Sequence, residues 1–155
     1  MGVDSLYLFK LAAQGYCCSQ ILLILGLEAQ GKENPDLVRA MQGLCGGLGR
    51  TGKTCGALTG GVCLLGLYAG RGSVAEKPDG QLNSMVNDLV TWFEQEYNST
   101  DCAGILDDSL DTVTDYPVKC GKIVIGVYNK VQEILNVYDK NTVGRGLNHE
   151  NRANL

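Results

Sequence analysis

The residues able to do chemistry here are cysteines: Cys17, Cys18, Cys45, Cys55, Cys63, Cys102 and Cys120 stand against one histidine, His149. Seven is odd, so a fully paired disulfide framework cannot use them all. No C-x-x-C pair occurs, which removes zinc-ribbon and thioredoxin spacings, and no C-x-x-C-H occurs, which removes covalent haem. A site must therefore be assembled from positions far apart in the chain. Soft thiolates with almost no imidazole favour an iron–sulfur cluster, with zinc or copper(I) next.

The elements that must position these thiols read as helices. Residues 3–14 form a short amphipathic helix capped by Asp4 or Ser5. After Gly15 an apolar run from Ile21 to Leu25 is hydrophobic on all sides, as in a buried helix that ends near Gly26 or Gly31. Asn34 and Pro35 open a third helix as cap and first residue, with Leu37, Val38, Met41, Leu44 and Cys45 on its period. Gly46 to Gly52 carries four glycines in seven residues and is irregular. Thr54 to Gly70 has no charge and alternates small residues with Leu and Val. That favours a buried central helix over a membrane span. Leu82, Met85, Val86, Leu89 and Phe93 mark a further helix that ends near Tyr97. Asp101 to Asp115 carries five aspartates and no basic residue, as in an exposed loop or short turns. Ile123, Val127, Val131, Ile134 and Tyr138 mark the last helix after Pro117, and residues 140–155 form a polar tail. The expected fold is all-α: one compact bundle of five or six helices over residues 1–139, with a glycine-rich loop before the central helix.

On this reading Cys18, Cys55, Cys102 and Cys120 each fall at a helix start. Free N–H groups and positive potential there stabilise a thiolate or an anionic cluster and lower the thiol pKa. Cys45 and Cys63 lie in apolar helical runs and read as packing residues. Cys17, beside Cys18, is a spare ligand, a resolving thiol or neither.

With 155 residues and 45% hydrophobic positions the chain can bury a single core. The net charge of −4 lacks the phosphate-neutralising excess of a nucleic-acid binder. Lys10 is the sole early basic residue and the apolar run lies too far in for a secretory signal, so a reducing, cytoplasmic setting is expected. Asp107, Asp108 and Asp111 offer an acidic surface to a basic partner, or simply a solvated loop. Gly47 to Thr54 matches G-x-x-x-x-G-K-[ST], the phosphate-cradling P-loop. That motif needs a strand before it, whereas Leu37 to Leu44 has helical periodicity. Nucleotide binding is thus a minor alternative.

Gly15-Tyr16-Cys17-Cys18-Ser19-Gln20, the stretch Gly46 to Gly60 around Cys55-Gly56-Ala57, Leu65-Gly66-Leu67, Cys102 and Cys120 together resemble a small family of redox-active proteins. The family is named for its C, GCAxxG, C, C pattern, and the resemblance spans residues 5–138. It makes Cys18 the first motif cysteine and Cys17, Cys45 and Cys63 additions to the pattern. It does not require lysine at Lys53. A related domain in split-Soret cytochromes accompanies an iron–sulfur centre beside haem; without a haem motif only the cluster part carries over. The resemblance implies a small electron-transfer protein with Cys18, Cys55, Cys102 and Cys120 as ligands of a [2Fe-2S] or [4Fe-4S] cluster. Gly46, Gly47, Gly49, Gly52 and Gly56 would approach it closely, with Arg50 and Lys53 offsetting its charge and Cys17, Cys45 and Cys63 as additional thiols. The alternatives are metal-free thiol–disulfide chemistry among the same four cysteines and a zinc module. A redox protein partner is expected, a homodimer is left open, and neither nucleic-acid binding nor membrane insertion is expected.

Overall fold

The computed structural model describes residues 3–106 and 116–138. The expectations for Asp107, Asp108 and Asp111, for His149 and for the tail 140–155 lie outside these residues. Among the described residues the fold is all-α, with seven helices: α1 Ser5–Ala13, α2 Cys18–Ala29, α3 Pro35–Met41, α4 Gly56–Ala69, α5 Leu82–Tyr97, α6 Cys102–Leu106 and α7 Tyr116–Tyr138. A 3₁₀ turn at Gln42–Leu44 leads from α3 into the glycine loop.

Local signals set most boundaries. The Asp4 side chain accepts from the Leu6 amide at 3.0 Å to start α1, and the Asn34 side chain accepts from Leu37 at 3.1 Å to start α3. Helix α2 ends with Gly31 at φ 65°, where the Gly31 and Lys32 amides donate to the Glu28 and Leu27 carbonyls at 2.9 Å. That paired closure needs the left-handed conformation glycine adopts without strain.

Two helices form the centre. Helices α2 and α4 pack closely because Gly60 has no side chain: a Cβ there would stand 2.9 Å from the Ser19 Cα. Around them Leu22, Leu64, Leu65, Leu89, Phe93, Val127 and Val131 are wholly buried, and each such side chain contributes about 1.5–3 kcal/mol of transfer free energy. The uncharged stretch from Thr54 to Gly70 is thus the bundle's central helix. Among the described residues no helix is long and apolar enough to cross a membrane.

Two expectations are corrected. The stretch after Asp101 opens with a short helix, α6, whose Cys102, Ile105 and Leu106 are buried rather than exposed. Five residues are too few to show a helical period. Helix α7 starts at Tyr116, with Pro117 in its first turn, where the missing N–H costs nothing. Cys120 therefore sits in the second turn, not at the helix start.

Candidate functional site

The glycine loop is held by its own backbone. Gly46, Gly47, Gly49 and Gly52 all have φ between 66° and 74°. Their left-handed turns let the Gly49, Gly52 and Lys53 amides donate to the Gly43, Gly46 and Gly47 carbonyls at 2.8, 3.1 and 3.0 Å. The next segment then runs antiparallel to residues 100–103. Ala103 donates to Gly52 at 3.0 Å, Cys102 to Lys53 at 2.7 Å, and Cys55 to the Thr100 carbonyl at 2.8 Å. This short ladder sets Cys55 against Cys102, and the packing of α2 on α4 brings Cys18 to the same place.

Cys18, Cys55, Cys102 and Cys120 line one small, nearly apolar cavity of about 10 Å³, with Gly46, Gly56 and Ile105 also in its wall. Four sulfurs from α2, the cap of α4, α6 and α7 thus share one space, and no charged residue lines it. The glycines are there for room. A Cβ on Gly56 would stand 2.5 Å from Cys18 Sγ, and one on Gly47 would stand 2.9 Å from Cys102 Cβ and 2.6 Å from the Lys53 nitrogen. Gly52 backs onto Ala103 at 3.0 Å, while Gly49 faces open space. Of the five glycines expected near the site, Gly46 and Gly56 line the cavity, Gly47 and Gly52 back its walls, and Gly49 stands away from it.

The thiols are not acidic. Burial pushes Cys18 up to about 11, and the nearby Cys55 and Cys102 add to this. The Ser19 and Gly46 amides point at its sulfur and act the other way, without winning. Burial likewise raises Cys55 against the Ala57 and Leu58 amides, and it raises Cys102. Cys120 rises to about 12 through burial and the other three thiols, against a lowering by Lys119. The expected acidification by helix starts is therefore corrected: the amides are in place, but desolvation outweighs them. Metal-free exchange among these four loses the lowered pKa it relied on.

The remaining cysteines divide. Cys63 is half-buried against Leu23, Leu27 and Met41, a packing residue as read. Cys45, read as a packing residue, and Cys17, read as a spare ligand, a resolving thiol or neither, are joined in a disulfide with Cα atoms 6.0 Å apart. The cause is tertiary: Ser19, the second residue of α2, donates to the Met41 carbonyl at 2.8 Å and brings the α2 start against the turn that carries Cys45. The P-loop resemblance has no structural support. The loop follows a helical turn, no strand occurs among the described residues, and the amides of residues 49–53 are taken by carbonyls of residues 43–48. Lys53 serves through its backbone and its side chain is exposed, as is Arg50's; neither lines the cavity.

A cysteine-only donor set with soft sulfur, backbone amides aimed at two of the sulfurs and glycine walls suits an iron–sulfur cluster or another thiophilic metal. Among the described residues, no three ligating side chains stand close enough to hold a single ion. No curated protein and no solved structure matches the chain. One family model does, over residues 16–134, under the description "Putative redox-active protein (C_GCAxxG_C_C)". That span takes in all four cavity cysteines and the glycine loop that walls them, and the chain belongs to this C_GCAxxG_C_C family.

Proposed function

We propose that the protein is a small electron carrier in which Cys18, Cys55, Cys102 and Cys120 hold an iron–sulfur cluster. The carrying observation is that these four sulfurs, from four separate elements, line one cavity that holds no other donor. When bound, such a cluster supplies one-electron transfer. The protein's residues do the rest. The Ser19 and Gly46 amides at Cys18, and the Ala57 and Leu58 amides at Cys55, favour sulfur in its anionic form. N–H donors at the sulfurs also raise the reduction potential of a bound centre. Ile105, Ile123 and Ala57 give the same space an apolar wall. Burial, which holds the free thiols protonated, makes metal binding the route by which they give up their protons. The electron partner is a second redox protein.

One observation favours a second reading. The present space is no larger than one water molecule needs, so cluster binding requires the sulfurs to turn outward about χ1. A single zinc ion asks for less room, but it carries no electrons, and the family is described as redox-active. Absorption, iron, sulfide and zinc analysis of protein purified without oxygen decides between them. Absorbance near 400 nm that bleaches with dithionite, with iron and sulfide in the same sample, is expected. A colourless sample with zinc, or with no metal after anaerobic reconstitution with iron and sulfide, overturns the cluster.

A further inference from the structure

We infer that the Cys17–Cys45 disulfide is a second redox unit, exchanged with an external dithiol that attacks Cys17. This holds whatever the four-thiol cavity contains. Both cysteines are half-buried, unlike a staple sealed inside a core, and their 6.0 Å Cα separation is ordinary for a disulfide. Disulfides that solvent can reach are the labile ones.

The two sulfurs differ in their surroundings. Cys17 lines an open apolar pocket of about 220 Å³ between α1 and α7, together with Cys18, Cys120, Phe9, Tyr16 and Val118. Cys45 does not line it, so an incoming thiolate reaches Cys17 first. Gln20 donates through its NH₂ to the Val38 carbonyl at 3.2 Å, which turns its carbonyl oxygen toward Cys17 Sγ at 3.4 Å. Against that oxygen, Cys17 caps α2 and the Gln20 backbone amide faces its sulfur, which favours charge there. The wholly buried Ser19 hydroxyl stands 3.1 Å from Cys45 Sγ and 3.8 Å from Cys17 Sγ. Its hydrogen goes to the Met41 carbonyl in the closed disulfide and can turn to Cys45 when a thiolate appears there. Attack at Cys17 with Cys45 leaving is the direction that access through the pocket supports, with the nearer Ser19 hydroxyl steadying the leaving sulfur.

The electrons balance as follows. One thiolate of the dithiol bonds to Cys17 Sγ, the Cys17–Cys45 bond breaks, and Cys45 leaves as thiolate. The second thiol of the dithiol, deprotonated, attacks the first, closes its own disulfide and releases Cys17. Two electrons pass to the protein, the external dithiol is oxidised, and both protein sulfurs take up protons. The opened pair lies next to the cavity: Cys17 precedes Cys18, and Cys45 precedes Gly46, whose amide points at the Cys18 sulfur.

The test uses the full chain, equilibrated in dithiothreitol redox buffers, quenched in acid, alkylated and mapped by mass spectrometry. Cys17 and Cys45 are expected to become alkylated together, as one two-electron couple, while circular dichroism stays native. With excess glutathione, early quenching should trap the adduct on Cys17 and leave Cys45 free. Ser19→Ala should slow opening about tenfold, the worth of a hydrogen bond to a charged sulfur. Free alkylation of both cysteines in the air-oxidised chain without reductant overturns the inference. So does a pair that opens only in urea, and an adduct on Cys45 overturns the assignment of the attacked sulfur. The wild-type measurements stand alone if Ser19→Ala fails to fold.

Discussion

Gly56 and Cys18 meet so closely that the Cβ absent from Gly56 would lie 2.5 Å from the Cys18 sulfur. Its two nearest other neighbours are the Leu44 carbonyl oxygen at 3.0 Å and the Cys45 Cα at 3.4 Å. The backbone on that side cannot yield as a flexible side chain would. Gly56→Ala should therefore push Cys18 into the cavity or move α4 off α2. We expect a loss of about 1–3 kcal/mol, typical of overpacking, together with reduced metal content. Urea unfolding and metal analysis of the variant check both; unchanged values would show that the α2–α4 contact has slack.

Gly47 and Gly49 share a left-handed backbone but not a neighbourhood. Alanine at either position pays about 1–2 kcal/mol for the conformation. Only at Gly47 does the new Cβ also collide with the Lys53 backbone and Cys102. Gly47→Ala should be clearly the more destabilising of the two by thermal unfolding, and it alone should lower metal loading. Equal losses would mean that the loop shifts freely against α6.

Single Cys→Ser changes at Cys18, Cys55, Cys102 and Cys120 should each lower metal affinity by more than the roughly 10–100-fold typical of changes outside the ligand set. Cys63→Ala should leave metal content unchanged, since that thiol packs against Leu23 and Leu27. Metal-to-protein ratios and the visible spectrum of the reconstituted variants check this. Full loading in any one of the four removes that residue from the set.

Raised thiol pKa values dictate an alkaline instability of the metal-free protein. From about pH 9 to 11 the unfolded chain releases a proton from Cys18 that the folded chain keeps, and for Cys120 the window runs to about 12. The native state binds more protons there, so stability falls as pH rises, by about 1.4 kcal/mol per pH unit for a buried thiol and by less for the partly exposed Cys120. Below pH 9 these thiols contribute no slope. Urea midpoints from pH 8 to 11 should fall, and Cys18→Ala should remove one thiol's share. An identical slope in that variant would exclude Cys18 as a source.

The helices read from the sequence were legible through a cap, a glycine stop or a long apolar period: Asp4, Asn34 with Pro35, Gly31, and the series from Ile123 to Ile134. Helix α6 was not, because five residues hold no period and its burial depends on the ladder to Gly52 and Lys53. The grouping of Cys18, Cys55 and Cys102 was legible as three helix starts. Cys120 joins them from inside a helix, by tertiary packing rather than a local signal. The thiol acidity was misjudged for a related reason, since an N-terminal amide is visible in sequence and the depth of burial is not. Likewise nothing local to Cys17 or Cys45 announces their pairing, which follows from Ser19 docking on Met41.

The order in which the four cavity cysteines enter the structure has a consequence for biosynthesis. Cys18, Cys55 and Cys102 are brought together by contacts among residues 18–103, through the α2–α4 crossing and the short backbone ladder. Cys120 arrives only with α7, whose Val127 and Val131 pack beneath Gly61. A nascent chain thus carries three sulfurs before the fourth has been translated, and the centre is completed by the same helix that seals the core. On the proposed function, loading would wait for α7, and a product stalled before residue 120 would lack the fourth sulfur.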